Sequence, residues 1–172
     1  MAIQQPTLRD SKAAIDWYQE KMQVAAGGVR AKLLRAEESQ TGSTVLGKMY
    51  FFKYDPKWKA VLPIYDIYPL VFPIERYNDG FLGLNIHYLS IPERTAFVTQ
   101  LSQYATAKHL TPQSKLRMTY GLLMDSKKLA TPARPCIKRY LWNHVRSRFI
   151  EIPATEWDRA AILPIELFVV KK

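Results

Sequence analysis

Between Leu46 and Leu89 the chain reads LGKMYFFKYDPKWKAVLPIYDIYPLVFPIERYNDGFLGLNIHYL. Its apolar and aromatic runs are too short for helices and are cut by turn residues. Asp55-Pro56 follows Met49–Tyr54, and Asn78-Asp79-Gly80 separates Leu70–Ile74 from Phe81–His87. Runs rich in Val, Ile, Tyr and Phe, bounded by Pro, Asn, Asp and Gly, read as β-strands. Three or four strands are expected here, forming one small antiparallel sheet. Lys48–Tyr54 places apolar side chains on both faces, with Lys53 as the late interruption, so both faces of that strand should be covered. Pro63, Pro69 and Pro73 have no N–H for a ladder, which assigns their part of the chain to an edge or to irregular crossing chain.

The flanks read as helical, giving an α+β fold in which a small antiparallel sheet packs with several helices. The boundaries expected are an N-terminal helical arm over 1–45 and a single α+β domain over 46–172. In the arm, Asp10 or Ser11 can cap a helix whose apolar stripe is Ile15, Tyr18, Met22 and Ala26, and Gly27-Gly28 breaks it. Such a helix either reaches outward to a partner or packs back on the sheet. Ser90-Ile91-Pro92-Glu93 opens a helix with Phe97, Leu101 and Tyr104 inward, and Thr111-Pro112 opens the next. Thr131-Pro132 is expected to open a third helix, to about Ser147. Its apolar stripe is Ile137, Tyr140, Leu141, His144 and Val145, and Arg134, Lys138, Trp142 and Arg146 recur every four residues on another face. Phe149–Ile152 reads as a short strand, Pro153–Ile162 as a last short helix with Trp157 inward, and Leu163–Val170 as a strand that closes on the sheet edge or on a neighbour.

At 172 residues, with 48% hydrophobic and 23% charged composition, the chain can bury a core of its own. The net charge of +10 is not spread evenly. Residues 91–172 hold fourteen Lys/Arg against six Asp/Glu, and Lys108–Arg148 holds ten against the single Asp125. A field of that sign draws nucleic acid or an acidic protein surface, and it also serves solubility alone. Lys127, Lys128, Arg134, Lys138, Arg139, Trp142, Arg146 and Arg148 form the candidate face for a nucleic acid or acidic partner. An aromatic among guanidinium groups can stack a base, although Trp142 reads better as half-buried beneath the stems of its basic neighbours. Tyrosine and tryptophan bury area at small entropic cost, so Trp17, Tyr18, Tyr54, Trp58, Tyr65 and Tyr68 form the candidate protein interface.

No enzyme motif is present: no P-loop, no GxGxxG and no GxSxG. His87, His109 and His144 have no second ligand at helical spacing, and His144 reads as a satisfied core histidine. The single Cys136 excludes an internal disulfide and reads as a small buried hydrophobe. Asp55, Asp66, Glu75 and Asp79 with Lys57 could supply a metal-dependent nuclease, but Asp55-Pro56 and Asn78-Asp79-Gly80 are equally turn chemistry. No apolar run reaches the roughly 18 residues of a membrane span, and the N-terminus lacks the pattern of a signal peptide. No catalytic residue, metal site, cofactor, membrane or small-molecule substrate is expected.

The segments GKMYFFKYDPKWKAVLPIYDIYPLVFPI, DGFLGLNIHYL and PCIKRYLWNHVRSRFIEIPATEWDRAAILPIELF, covering about Leu46–Phe168, resemble a small virion protein family of contractile-tailed bacteriophages, met most often in T4-like phages and cyanophages. Its members are similar to proteins described as DNA end protectors or as neck, baseplate or tail parts. The resemblance implies a non-enzymatic component of the virion, assembled in the host cytoplasm with other phage structural proteins in a symmetric, multi-copy assembly. The leading expectation is a structural adaptor of the tail, baseplate or neck, bound through the first helix and the tyrosine-rich module. The alternative is a protein that holds or protects the end of packaged double-stranded DNA through the basic face.

Overall fold

A computed structural model of the chain describes residues 8–25, 46–62, 64–129, 136–163 and 169–171. Seven strands appear among them: β1 Met49–Phe51, β2 Ile64–Asp66, β3 Leu70–Tyr77, β4 Gly80–Asn85, β5 Ile137–Leu141, β6 Ile150–Ile152 and β7 Val169–Lys171. The helices are α1 Leu8–Ala25, α2 Ile91–Ala105, α3 Pro112–Leu129 and the short α4 Trp157–Ala161. Five strands form one antiparallel sheet in the order β5-β4-β3-β1-β6, and β2 pairs with β7 in a separate ribbon. The α+β class and the antiparallel sheet expected from sequence are therefore present. The closing strand joins β2 rather than the main sheet, whose outer strands come from the basic segment and from Ile150–Ile152.

Local chemistry explains the elements. Asn78-Asp79 links β3 to β4 as a hairpin with Tyr77 opposite Gly80, and a Cβ at Gly80 would lie 1.9 Å from the Tyr140 carbonyl oxygen. Only a residue without a side chain lets β5 approach there. Ser90 caps α2 in a capping box: its hydroxyl accepts from the Glu93 N–H, and the Glu93 carboxylate accepts from the Ser90 N–H at 2.8 Å. That bonding holds the Glu93 carboxyl below its ordinary range. Pro73 lies in β3, an interior strand, against the expectation of an edge or irregular crossing chain. Its carbonyl oxygen faces the Gly47 N–H at 3.5 Å, so the missing N–H lies on the side where pairing with β1 has already ended and no ladder bond is lost; the register with β4 shifts between Pro73 and Glu75.

Both faces of the sheet are covered, as the Lys48–Tyr54 pattern requires. One face packs Met49, Phe51, Phe72, Ile74 and Leu84 against Ala14, Trp17 and Tyr18 of α1, Val98 and Leu101 of α2, Leu123 of α3 and Trp157 of α4. Helix α1 thus packs back on the sheet. The Tyr18 hydroxyl donates to the Tyr68 carbonyl at 2.6 Å, and Trp17 Nε1 donates to Glu156, which Lys21 also reaches at 3.1 Å. The other face holds an aromatic cluster of Tyr50, Phe52, Tyr54, Val71, Phe81, Tyr140 and Phe149, with Trp142 and Val145 against it.

The expected helix over 131–147 is corrected by the structure. Residues 137–141 are a strand paired along its length with β4, Trp142–His144 is a single 3-10 turn, and residues 130–135 lie outside the described residues. From β5 at one edge the chain crosses the aromatic cluster to β6 at the other. It pairs with 53–55 on the way: the Asp55 N–H donates to the His144 carbonyl at 2.9 Å, the Arg146 N–H to the Lys53 carbonyl at 2.8 Å, and Tyr54 bridges Val145. Phe52 stands at the centre, with Tyr54, Phe81, Tyr140 and Phe149 all within 6.1 Å between ring centroids. Phe52→Ala is expected to lower the unfolding free energy by about 3–5 kcal/mol in guanidinium melts, because it empties this layer. Trp58→Ala, at a residue 61% exposed, should stay within about 0.5 kcal/mol of the unaltered protein.

Candidate nucleic-acid interface

The turn after β1 sets out the site. Asp55-Pro56 ends the pairing with the crossing chain, and residues 57–61 form a tight turn in which the Val61 and Leu62 N–H groups donate to the Trp58 carbonyl. The turn leaves Trp58 and Val61 as two of the most exposed large apolar side chains among the described residues. Beside it lies a pocket of about 190 Å³. Its walls include Pro56, Trp58, Tyr65 and Tyr88, its inner side Tyr54 and Tyr140, and Lys57, Lys138 and Arg139 also line it. A second cavity, about 290 Å³, shares the wall of Tyr54, Pro56 and Tyr65 and adds Lys53, Lys59 and Arg146. Six cations thus surround one aromatic wall.

Aromatic rings and carboxylates hold five of these cations in place. Lys138 Nζ lies 4.3 Å from the Tyr88 ring centroid, and the Arg139 guanidinium lies 3.6 Å from that of Tyr77 and is bonded to Asp79. Lys57 reaches over Trp58 at 5.2 Å, Lys59 pairs with Asp55 at 2.7 Å, and Arg146 stands 3.7 Å from Asp55. Burial pushes the Lys138 ammonium below its ordinary range, whereas its bond to Asp55 raises Lys59. Burial raises the phenols of Tyr54, Tyr88 and Tyr140, so they remain neutral hydroxyls.

The pocket floor is a polar network, satisfied except at the buried His87 Nε2, which has no hydrogen-bond partner among the described residues. Asp66 Oδ1 accepts from the Tyr68 N–H at 3.0 Å, and Oδ2 accepts from the Asn85 amide at 3.2 Å and stands 2.5 Å from His87 Nδ1. Asn85 also donates to the Tyr140 hydroxyl at 3.1 Å and accepts from the His87 N–H. Asp66 is therefore a buried structural acid. Among the described residues no group of three or more His, Cys, Asp or Glu is placed to hold a metal ion.

The two candidate sets taken from sequence are redistributed. Tyr54, Trp58 and Tyr65 from the first and Lys138, Arg139 and Arg146 from the second come together at the paired cavities. Trp17 and Tyr18 are buried under α1 and Tyr68 stacks on Phe51, so their area is already spent in the chain's own core. Tyr54, 6% exposed, faces the pocket only as its inner wall. Trp142 is half-buried against Phe81 and Phe149, and Arg148 is exposed but lines neither cavity. Lys127 and Lys128 sit in the last turn of α3 with side chains outside the described residues, as is Arg134. His144 is satisfied, its Nδ1 2.8 Å from the Asp55 carbonyl oxygen, but it is half-buried in the crossing chain and not in a core. Cys136 is buried, with its thiol pushed up to about 11. Sequence reasoning did not single out Lys53, Lys59 or Tyr88 for the site; the Lys57-Trp58-Lys59 triplet after a turn dipeptide was the available signal.

Residues 3–172 match the family model described as Phage T4 terminal DNA protecting protein. The chain belongs to that family. Neither a curated protein nor a solved structure gives a match. The family description coincides with the alternative expectation, DNA-end protection; a tail, baseplate or neck adaptor, the leading expectation, draws no support from it.

The site makes one prediction about its own charges. In a lysine Cε–H titration followed by NMR, Lys138 is expected to lose its proton at lower pH than Lys59, because burial lowers the first and Asp55 raises the second. Asp55→Asn should move Lys59 down and leave Lys138 in place.

Proposed function

We propose that this protein binds the ends of phage double-stranded DNA and shields them, with the surface around Trp58 as its contact. Membership of a family described as terminal DNA protecting supplies the class of partner. The observation that carries the reading to this surface is the ring of Lys53, Lys57, Lys59, Lys138, Arg139 and Arg146 about the shared wall of Tyr54, Pro56 and Tyr65. Phosphate contacts position a protein on nucleic acid and supply most of the sequence-independent affinity. Lysines at a turn, Lys138 and Arg139 on β5 and Arg146 on the crossing chain can meet successive phosphates. Aromatic groups between them offer what interior duplex does not need, a flat surface for exposed bases. No bond is made or broken in this role. The protein occupies the terminus, and an exonuclease that must thread that terminus finds it covered.

Two measurements test the reading. The first is a titration with short linear duplex at about 50 and 200 mM salt, with closed circular DNA as competitor. Affinity should fall by roughly 10³–10⁵ if 6–10 phosphates are engaged, and the circle should compete poorly. Glutamate at Lys138, Arg139 and Arg146 together should abolish binding at the higher salt and, at the lower, reduce the salt slope by about one for each phosphate no longer engaged. The second is exonuclease digestion of linear duplex, which bound protein should slow. Binding indifferent to salt, or equal affinity for circle and line, overturns the proposal.

A further inference from the structure

We infer that the 190 Å³ pocket beside Trp58 takes the terminal nucleobase of a DNA strand, stacked on that indole, and that this is how the protein tells an end from interior duplex. The inference rests on the DNA-end reading and adds to it a site and a ligand. A terminus differs from any other point on a duplex in its free 5′ or 3′ end group, in exposing the face of a base, and in a last nucleotide that is free to leave the stack at small cost. The aromatic lining of this pocket suits the base rather than the end group.

Size and lining both suit a single base. Pockets that enclose drug-sized ligands hold about 300–1,000 Å³, and this one is smaller, so it admits one ring system and leaves sugar and phosphate outside. Trp58, Tyr65 and Tyr88 offer ring faces. Charge sets the direction of entry. Lys57, Lys138 and Arg139 stand among the lining residues, while the oxygens of Asp66 at the floor are acceptors, as phosphate oxygens are. Phosphate therefore stays with the cations and the base goes inward. The floor also fixes the selectivity. Asn85 spends its amide on Asp66 and Tyr140 and its carbonyl oxygen on the His87 N–H. Of the floor groups, what remains for a base edge is the Tyr140 hydroxyl, which already accepts from Asn85. Such a pocket stacks any base and reads none.

The test uses the full chain and duplexes carrying 2-aminopurine, a fluorescent base quenched by stacking, as a single unpaired terminal nucleotide or at an interior position. Binding should quench the terminal probe and spare the interior one. The overhang should bind roughly tenfold tighter than a blunt end, which must first break its last pair. Exchanging the other terminal bases should change affinity by less than about threefold. Trp58→Ala should lose the quenching and about tenfold in affinity for the overhang, while Trp58→Phe keeps most of both. Trp58 is 61% exposed, so circular dichroism should show these variants folded. If the unaltered protein prefers ends but leaves the terminal probe bright, or if Trp58→Ala quenches it equally, the pocket inference falls and DNA-end binding stands. If linear and circular DNA bind alike, the functional reading falls first and takes the inference with it.

Discussion

The fold depends on the packing of Phe52 between the sheet and the chain that crosses it. Strands β5 and β6 are at opposite edges, yet only Trp142–Phe149 separates them in sequence. So short a link can span the sheet only by lying across its face, which requires an apolar layer to lie on. Phe52, Phe81, Tyr140 and Phe149 supply it. Gly83 leaves room for it, since a Cβ there would come within 2.3 Å of Val71. Tyr54 and Tyr140 belong to this layer and to the wall of the neighbouring pocket alike. That wall of the pocket is consequently held by core packing, and a ligand entering it would have no loop to order on that side.

A second constraint fastens the β2–β7 ribbon to the main sheet. Asp66 ends β2, Asn85 ends β4 and Tyr140 lies in β5, and hydrogen bonds join all three with His87. Burying so many polar groups is costly unless each finds a partner. Apart from His87 Nε2, which is buried without a hydrogen-bond partner among the described residues, they satisfy one another, and this makes the arrangement specific: a slip of the ribbon by one residue would strand several of them at once.

Much of the fold was legible because strand runs, turn dipeptides and the Ser90–Glu93 capping box are local signals. The Met49–Tyr54 strand, the Asn78-Asp79 hairpin, α2, α3 and the short helix at Trp157 all follow from them. The misreading of 131–147 has a definite cause. Ile137, Tyr140, Leu141, His144 and Val145 fall at helical spacing, but in the structure a strand, a turn and an extended crossing produce that spacing in succession. Adjacent Lys138 and Arg139 hid the alternation of β5, since each lies over a tyrosine ring on its own side. Pro73 misled because a strand interior to the sheet can lack a ladder partner locally: the pairing with β1 ends before it reaches Pro73. The site was half-legible for a related reason. Tyrosine and tryptophan serve cores and contacts equally well: nothing in the local sequence separates buried Tyr18 from Tyr65, and only the turn dipeptide and the flanking lysines set Trp58 apart from Trp17.

Strand β5 closes one edge of the sheet, with no further strand paired to it among the described residues. An unpaired edge strand is a template on which another chain can add a strand; here the Tyr54 hydroxyl already accepts from the Leu141 N–H at 3.1 Å, and charged side chains are the usual further deterrent. Lys138 and Arg139 provide that deterrent here, so two copies brought together edge to edge meet like charge before they meet hydrogen bonds. Loss of these charges removes the guard along with the DNA-facing cations. At high concentration the first sign of their neutralisation would be self-association through β5, well before any change in the fold of a single copy.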